Sequence, residues 1–250
     1  MSYIQKISLL IALSGFVFLT SCEDNNKSKK VNEKDLQEKR EKQRTDSILN
    51  SVKIPSGGKE MDIDIRSIET IEQKDLKAFL EKYGKENPED KAIIYTRFGA
   101  IHVQLFNDTP LHRANFIRLA KMGYFETTFF HRIAENFVVQ GGNSDNVATQ
   151  KVRSKVGDYL IPSESDAGHL HNYGAFSAAK YSEQNISKAS SPFEFFIVQD
   201  KNGAHHLDKK HTVFGKVTQG MDVVNEMAKV ETDQSEWPKK NIMIDSIVVN

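Results

Sequence analysis

The chain lacks several things that would narrow its function at once. It has one cysteine in 250 residues, Cys22. No intramolecular disulfide can form, so a secreted domain of this sequence is held by its core alone. It lacks an excess of either charge: 34 Lys and Arg oppose 34 Asp and Glu. No overall field therefore draws it to nucleic acid or to an anionic bilayer. It lacks a comfortable membrane span, because the apolar run Ile7–Leu19 has only the length of a signal-peptide hydrophobic region. It also lacks a closed set of metal ligands. His169 and His171 stand at i, i+2, and His205, His206 and His211 come later, but no cysteine or second matched pair completes a site. The first two read as exposed loop histidines, the others as loop and groove residues, with no metal and no cofactor expected.

What is present divides the chain into four segments. Met1–Cys22 is a targeting segment, with Lys6 as its positive start. Leu19-Thr20-Ser21-Cys22 resembles a bacterial lipoprotein box, which implies cleavage before Cys22 and lipid on its thiol and new amino group. That places the protein in a cell envelope, held to a bacterial membrane through Cys22. Residues 23–58 form a charged tether, either a solvated helix over Glu33–Arg44 or a disordered spacer. No sustained a/d stripe supports a coiled coil, and Pro55-Ser56-Gly57-Gly58 is a break.

Residues 59–90 read as a strand and a helix. Met61, Ile63 and Ile65 alternate with polar residues over Glu60–Ile68. Leu76, Phe79, Leu80 and Tyr83 share one helical face over Gln73–Tyr83, with Gly84 as the expected stop. This strand–helix extension is expected to pack its apolar face on the domain formed by residues 91–250.

That domain is rich in short strands. Ala92–Phe98 and Ile101–Phe106 flank Gly99-Ala100 as a hairpin. A helix comes next, capped by Thr109 or Asp108, with Pro110 in its first turn and Gly123 at its close. Thr127–Ile133, Phe137–Gly141, Gly174–Ala179, Glu194–Gln199 and Thr212–Val217 read as strands, Gly220–Ala228 as a second helix and Asn241–Val249 as a closing strand. Asn143–Tyr173 reads as a polar loop around a brief Tyr159–Pro162 β element. Many short strands with two helices indicate a mainly β fold, a β-barrel.

The stretch Phe129–Asn143, FFHRIAENFVVQGGN, sets a guanidinium and an amide side chain beside apolar residues. That is the composition of a small pocket which grips an apolar segment and directs one or two hydrogen bonds. FHRI followed by NFVVQGG resembles the signature of the cyclophilin-type peptidyl-prolyl cis-trans isomerases. GAFSAA at Gly174–Ala179, FFIV at Phe195–Val198, LDKK at Leu207–Lys210 and HTVFGKV at His211–Val217 arrive in the family's order. The resemblance implies a closed eight-stranded antiparallel barrel with a helix over each end, and catalysis of rotation about X–Pro bonds. It implies Arg132 as the catalytic residue. Phe137, Val138, Phe196, Leu207 and His211 would line a proline pocket, Gln140 would hold the substrate backbone and help orient Arg132, and Ala179 would border the groove. Partners would be proline-containing polypeptides, unfolded or folding proteins of the envelope.

The sequence departs from the family pattern at three places. Pro192-Phe193-Glu194 stands where many members have Gly-Ser-Gln, so a carboxylate joins the substrate groove within possible reach of Arg132. Lys180 stands where many have Asn, and His206 where some have Trp. The first two departures define an alternative, a proline-peptide-binding chaperone with little turnover on the same scaffold. A scaffold that tethers partners through residues 23–83 is a third reading.

Overall fold

The computed structural model describes residues 36–42, 51–56, 59–181 and 187–250. The expected signal peptide, Cys22 and most of the tether lie outside them. Residues 36–42 form a helix, α1, with exposed side chains. Ser47–Asn250 forms a unit of its own.

In that unit β1 (Ser51–Ser56) and β2 (Lys59–Asp64) pair antiparallel. Pro55 and Ser56 of the expected break belong to β1, Gly57-Gly58 lie outside the described residues, and β1 was hidden in a segment that reads as tether. β2 stops before Ile68 because the Asp64 carboxylate accepts Arg66 N at 3.0 Å and starts a 3-10 turn over Ile65–Ser67. α2 runs over Leu76–Glu86 and buries Leu76 and Leu80, as the apolar spacing predicts. It passes through Gly84 instead of stopping there. A Cβ at Gly84 would lie 3.2 Å from the Ala114 Cβ, so this glycine permits close helix packing and not a cap.

Nine strands make the main sheet. They are β3 (Lys91–Thr96), β4 (Gly99–Leu105), β5 (Phe129–Ala134), β6 (Val138–Asn143), β7 (Ala175–Ala178), β8 (Phe195–Val198), β9 (Val213–Gln219), β10 (Ile242–Met243) and β11 (Ser246–Val249). Their order is β10-β5-β6-β8-β7-β9-β4-β3-β11, antiparallel throughout. The first hairpin turns at Arg97-Phe98, with Thr96 opposite Gly99, two residues before the expected Gly99-Ala100. The expected closing strand Asn241–Val249 is split in two. Its first part pairs with β5 and its second with β3. Between them Ile244 N bonds Thr128 O at 3.2 Å and Asp245 N bonds Tyr95 O at 2.9 Å. Two residues span at most about 7 Å, so the two ends of the order approach each other there. The sheet is curled, with nine strands and two ends, where a closed ladder of eight was expected.

Three further helices accompany it: α3 (Pro110–Lys121), α4 (Val147–Val156) and α5 (Met221–Met227). α4 lies inside the segment read as a polar loop. Its inward residues are Thr149, Val152 and Val156, and Gly157 closes it at φ 118°. The main core gathers where α3 meets the sheet. Phe116 of α3 packs edge-on against Phe176 of β7 (5.3 Å between centroids) and Phe195 of β8 (5.9 Å), and Phe176 meets Phe214 of β9 at 4.9 Å. Ile63, Ile65, Ile71, Leu76 and Leu80 join this same core, so the strand–helix extension packs on the sheet-bearing part as its apolar face predicts.

The start of α3 is held from a distance. Thr109 occupies the N-cap position, as expected, but makes no side-chain cap bond; its hydroxyl donates to Phe106 O at 3.3 Å. Glu164 takes over: its two carboxylate oxygens accept Leu111 N and His112 N, each at 3.0 Å. The same carboxylate lies 2.6 Å from His112 Nδ1. A carboxylate at a helix N-terminus satisfies orphan amides and the positive end of the dipole together. Glu164→Ala should lower the unfolding free energy by about 2 kcal/mol, read from the urea midpoint. A change under about 0.5 kcal/mol would show that the cap contributes little.

Candidate functional site

The site is built by alternation along β8, β6 and β5. Successive residues of a strand face opposite sides of a sheet. On β8, Phe195 and Ile197 enter the main core, while Phe196 and Val198 join a second cluster with Val138, Ala175, Ala179 and Val213. On β6, Val139 faces the main core and Val138 the second cluster. Gln140 then emerges on the same side as Val138.

On β5 simple alternation fails. Phe130 and Ile133 both lie in the main core although they are three residues apart. The pairing explains this. Phe129 faces Asn143 and Phe130 faces Gly141, so Gly142 is an extra residue on β6; Phe130 faces Gly141 and Arg132 faces Gln140, so His131 is an extra residue on β5. The register slips and returns, as β-bulges do. Arg132 thereby turns to the side opposite Phe130 and stands across from Gln140. Gly142 permits the slip: its φ is 95°, and a Cβ there would lie 2.1 Å from Phe193 O.

Arg132, Phe137, Val138, Gln140, Ala179, Lys180, Phe196, Leu207 and His211 line one cavity of about 240 Å³. All the residues singled out for the groove meet there except Glu194, which stands behind Gln140, and Lys180 joins them. The Arg132 guanidinium sits 5.7 Å from the Phe137 ring centroid. Its Nε donates to Glu236 Oε2 at 2.7 Å. Glu194, which the sequence put within possible reach of Arg132, pairs with Arg153 instead. Glu236, which no motif in the sequence marks, meets Arg132 from 104 residues away. Its backbone is braced on β5, since its carbonyl accepts Ile133 N at 2.8 Å, and it holds φ 64°.

Glu194 is engaged elsewhere. Its Oε2 accepts Gln140 Nε2 at 3.0 Å and lies 3.6 Å from His131 Nε2; its Oε1 accepts Arg153 at 3.3 Å. Burial alone would raise this carboxyl, but His131 and Arg153 outweigh it and hold it below the usual range. Arg153 also donates to Tyr124 Oη at 2.8 Å and Gly142 O at 2.9 Å. A largely shielded carboxylate with this many partners is a fixed acceptor, and it fixes the amide of Gln140. Arg153 lies on α4, so a segment read as loop supplies part of the site's support.

The opposite wall rests on histidines. His211 Nδ1 donates to Ala178 O at 3.1 Å, and its ring meets Phe196 edge-on at 5.5 Å. Behind Phe196, His171 is fully buried and not an exposed loop residue. It lies 2.8 Å from Asp208 Oδ1 and 3.0 Å from Ser177 Oγ, and it stacks on Phe196. His206, at the rim, stacks on Phe137 at 5.3 Å, and His169 pairs with Asp108 at 2.9 Å. Among the described residues no three His, Cys, Asp or Glu converge as a metal site.

A larger concavity of about 410 Å³ lies between the Ile65–Ser67 turn, α2 and α3. Its Lys121 pairs with Glu89, and Lys82 sits 3.9 Å from Glu86. Arg118 lines it too, over the Phe79 ring and bonded to Glu69 O; none of the residues that the sequence singled out for the groove lies in it.

Three comparisons bear on this geometry. Residues 91–249 match the family model described as cyclophilin type peptidyl-prolyl cis-trans isomerase/CLD. A peptidyl-prolyl cis-trans isomerase-like 2 of Rhizopus delemar is 36% identical over 66% of this chain and 30% of its own length; the chain thus spans less than a third of that relative. A peptidyl-prolyl cis-trans isomerase of Acinetobacter baylyi is 32% identical over 62% of this chain and 82% of its own. A crystal structure of a Cryptosporidium parvum cyclophilin type peptidyl-prolyl cis-trans isomerase, in the presence of the dipeptide Ala-Pro, superposes with a TM-score of 0.54 at 25% identity. That match covers 64% of this chain and 98% of the other.

The cavity makes a pH prediction. Burial pushes His211 down from 6.5 to about 4, against the opposing bond to Ala178 O. Its folded pKa is depressed, so the ring is neutral in the fold. The stability this contributes is fully present above 6.5 and is lost as pH falls toward 4. An NMR titration of the His211 ring should show a midpoint near 4. A midpoint at the ordinary histidine value would mean that the cavity wall is wet.

Proposed function

Since the chain belongs to the cyclophilin-type peptidyl-prolyl cis-trans isomerase family, we propose that it accelerates cis–trans rotation about X–Pro bonds in proline-containing polypeptides, with Arg132 as the catalytic residue. The observation that carries this is one apolar cavity, floored by Phe137, Val138, Phe196 and Leu207, with Arg132 and Gln140 together in its wall.

The barrier to rotation is about 18–20 kcal/mol because turning the bond breaks amide resonance. No covalent bond is made or broken, so no nucleophile or redox group is required. The protein has only to bind the twisted amide better than either planar form. A 10⁵-fold acceleration requires roughly 7 kcal/mol of such preference. In the twisted form the proline nitrogen recovers a lone pair. A donor aimed there bonds to the transition state and to neither ground state. Arg132 is always charged and carries a rigid fork of donors. Glu236 accepts the hydrogen bond from Nε–H and leaves the terminal nitrogens for substrate. The apolar floor seats the proline ring, while Gln140, held by Glu194, offers its remaining amide groups to the peptide backbone. The terminal nitrogens of the guanidinium, which make no hydrogen bond among the described residues, favour turnover over mere peptide retention.

Leu19-Thr20-Ser21-Cys22 resembles a lipoprotein box, which supports a lipid-anchored protein that serves folding proteins of a bacterial envelope. X–Pro exchange is slow enough to limit their folding.

Two measurements test these statements. In the full chain, Arg132→Ala should lower kcat/KM on an Ala-Pro peptide by about 100-fold, followed by NMR exchange, with the fold retained. Equal rates would remove Arg132 from the mechanism. Labelling cells with a radioactive fatty acid should mark the wild-type chain and not Cys22→Ala; label retained on the variant would rule out the anchor.

A further inference from the structure

The cavity's charges do not balance, and among its lining residues the lysine is the one with no counter-ion among the described residues. Arg132 is met by Glu236 at 2.7 Å. Glu194 is committed to Gln140 and Arg153, with His131 beside it. His211 is kept neutral by burial. Lys180 lines the same cavity, and among the described residues it has no hydrogen bond or ion pair. Its neighbour on the electrostatic side is another cation, Lys188.

The position of Lys180 is set by the backbone before it. Ala179 N donates to Glu194 O at 2.9 Å, and Ser191 N donates to Ala179 O at 2.9 Å. Ala179 itself is buried. The lysine stem therefore leaves a fixed point at the end of β7 and runs along the cavity wall. One uncompensated positive charge thus borders a site that is otherwise apolar or internally paired. An unmet charge beside a low-dielectric wall attracts an anion more strongly than the same charge in open water.

We propose that Lys180 selects proline segments that carry an anionic side chain, a carboxylate or a phosphate, on the residue flanking the proline. This rests on the isomerase reading of the same cavity. The ligand's charge neutralises the wall, and a lysine at the same ligand position is repelled. Lys180 is half-exposed, so the discrimination is modest, about fivefold between opposite charges. It shrinks as salt screens the pair.

The test uses the full chain and four peptides that differ only in the residue before proline: glutamate, phosphoserine, alanine and lysine. A second set places the same residues after it. NMR exchange gives kcat/KM for each, and chemical-shift titration gives Kd. The expected result is a glutamate-to-lysine ratio of about five at low salt, falling in about 0.5 M NaCl. Lys180→Gln should bring the ratio to about one, and Lys180→Arg should keep it. Phosphoserine above glutamate identifies a phosphate as the preferred anion; equality identifies charge alone. A ratio near one in the wild-type chain overturns the proposal, as does a ratio that survives Lys180→Gln. If no peptide is accelerated, the isomerase reading fails, and the same ratios read from Kd still decide the role of Lys180.

Discussion

One register slip governs the rest. Between β5 and β6 the pairing gains a residue at Gly142 and gives it back at His131. Phe130 therefore reaches the aromatic core while Arg132 faces out beside Gln140. Without the slip, residues 130 and 132 would share a face. The guanidinium would then be buried among Phe116, Phe125 and Phe195, where an unpaired charge is prohibitively unstable. The backbone irregularity separates packing from chemistry within three residues.

The charges around the site fall into two kinds with different physics. Glu194 and Arg153 are largely shielded, with side chains at 11% and 16% exposure, and each is bonded to several partners. Such a pair contributes little net stability, since desolvation offsets attraction, but each member fixes the other. Their product is the orientation of Gln140. Arg132 and Glu236 are more exposed, with side chains at 35% and 45%. A pair of this exposure is worth under about 1 kcal/mol, so its value lies in aiming the guanidinium. The positive φ of Glu236 fits that view, because a strained residue persists only where the surroundings enforce it.

Much of the fold was legible because its signals are local. Leu76 and Leu80 share a helical face by spacing alone, and they are buried. Phe195 and Phe196 alternate by strand geometry, and they divide between core and cavity. Where sequence and structure part, the deciding contact is distant. Gly84 looks like a helix stop until Ala114 is seen beneath it. His171 looks like a loop residue until Asp208 and Ser177 enclose it. The α4 segment, VATQKVRSKV, has β-branched residues of weak helix propensity, and tertiary burial of Val152 and Val156 decides its state.

By itself the sequence determined the kinds of groups available and their order. It set Arg132 and Gln140 on neighbouring strands, it placed Phe137, Val138, Phe196, Leu207 and His211 in a cyclophilin-like succession, and it excluded an intramolecular disulfide. Only the tertiary structure decided which charge answers which. Glu236 and not Glu194 meets Arg132, Arg153 meets Glu194, and Lys180 is left alone among the described residues. The reason is that strand and helix periodicities act over a few residues, whereas an ion pair is chosen by closeness in space, here across as many as 104 positions of chain.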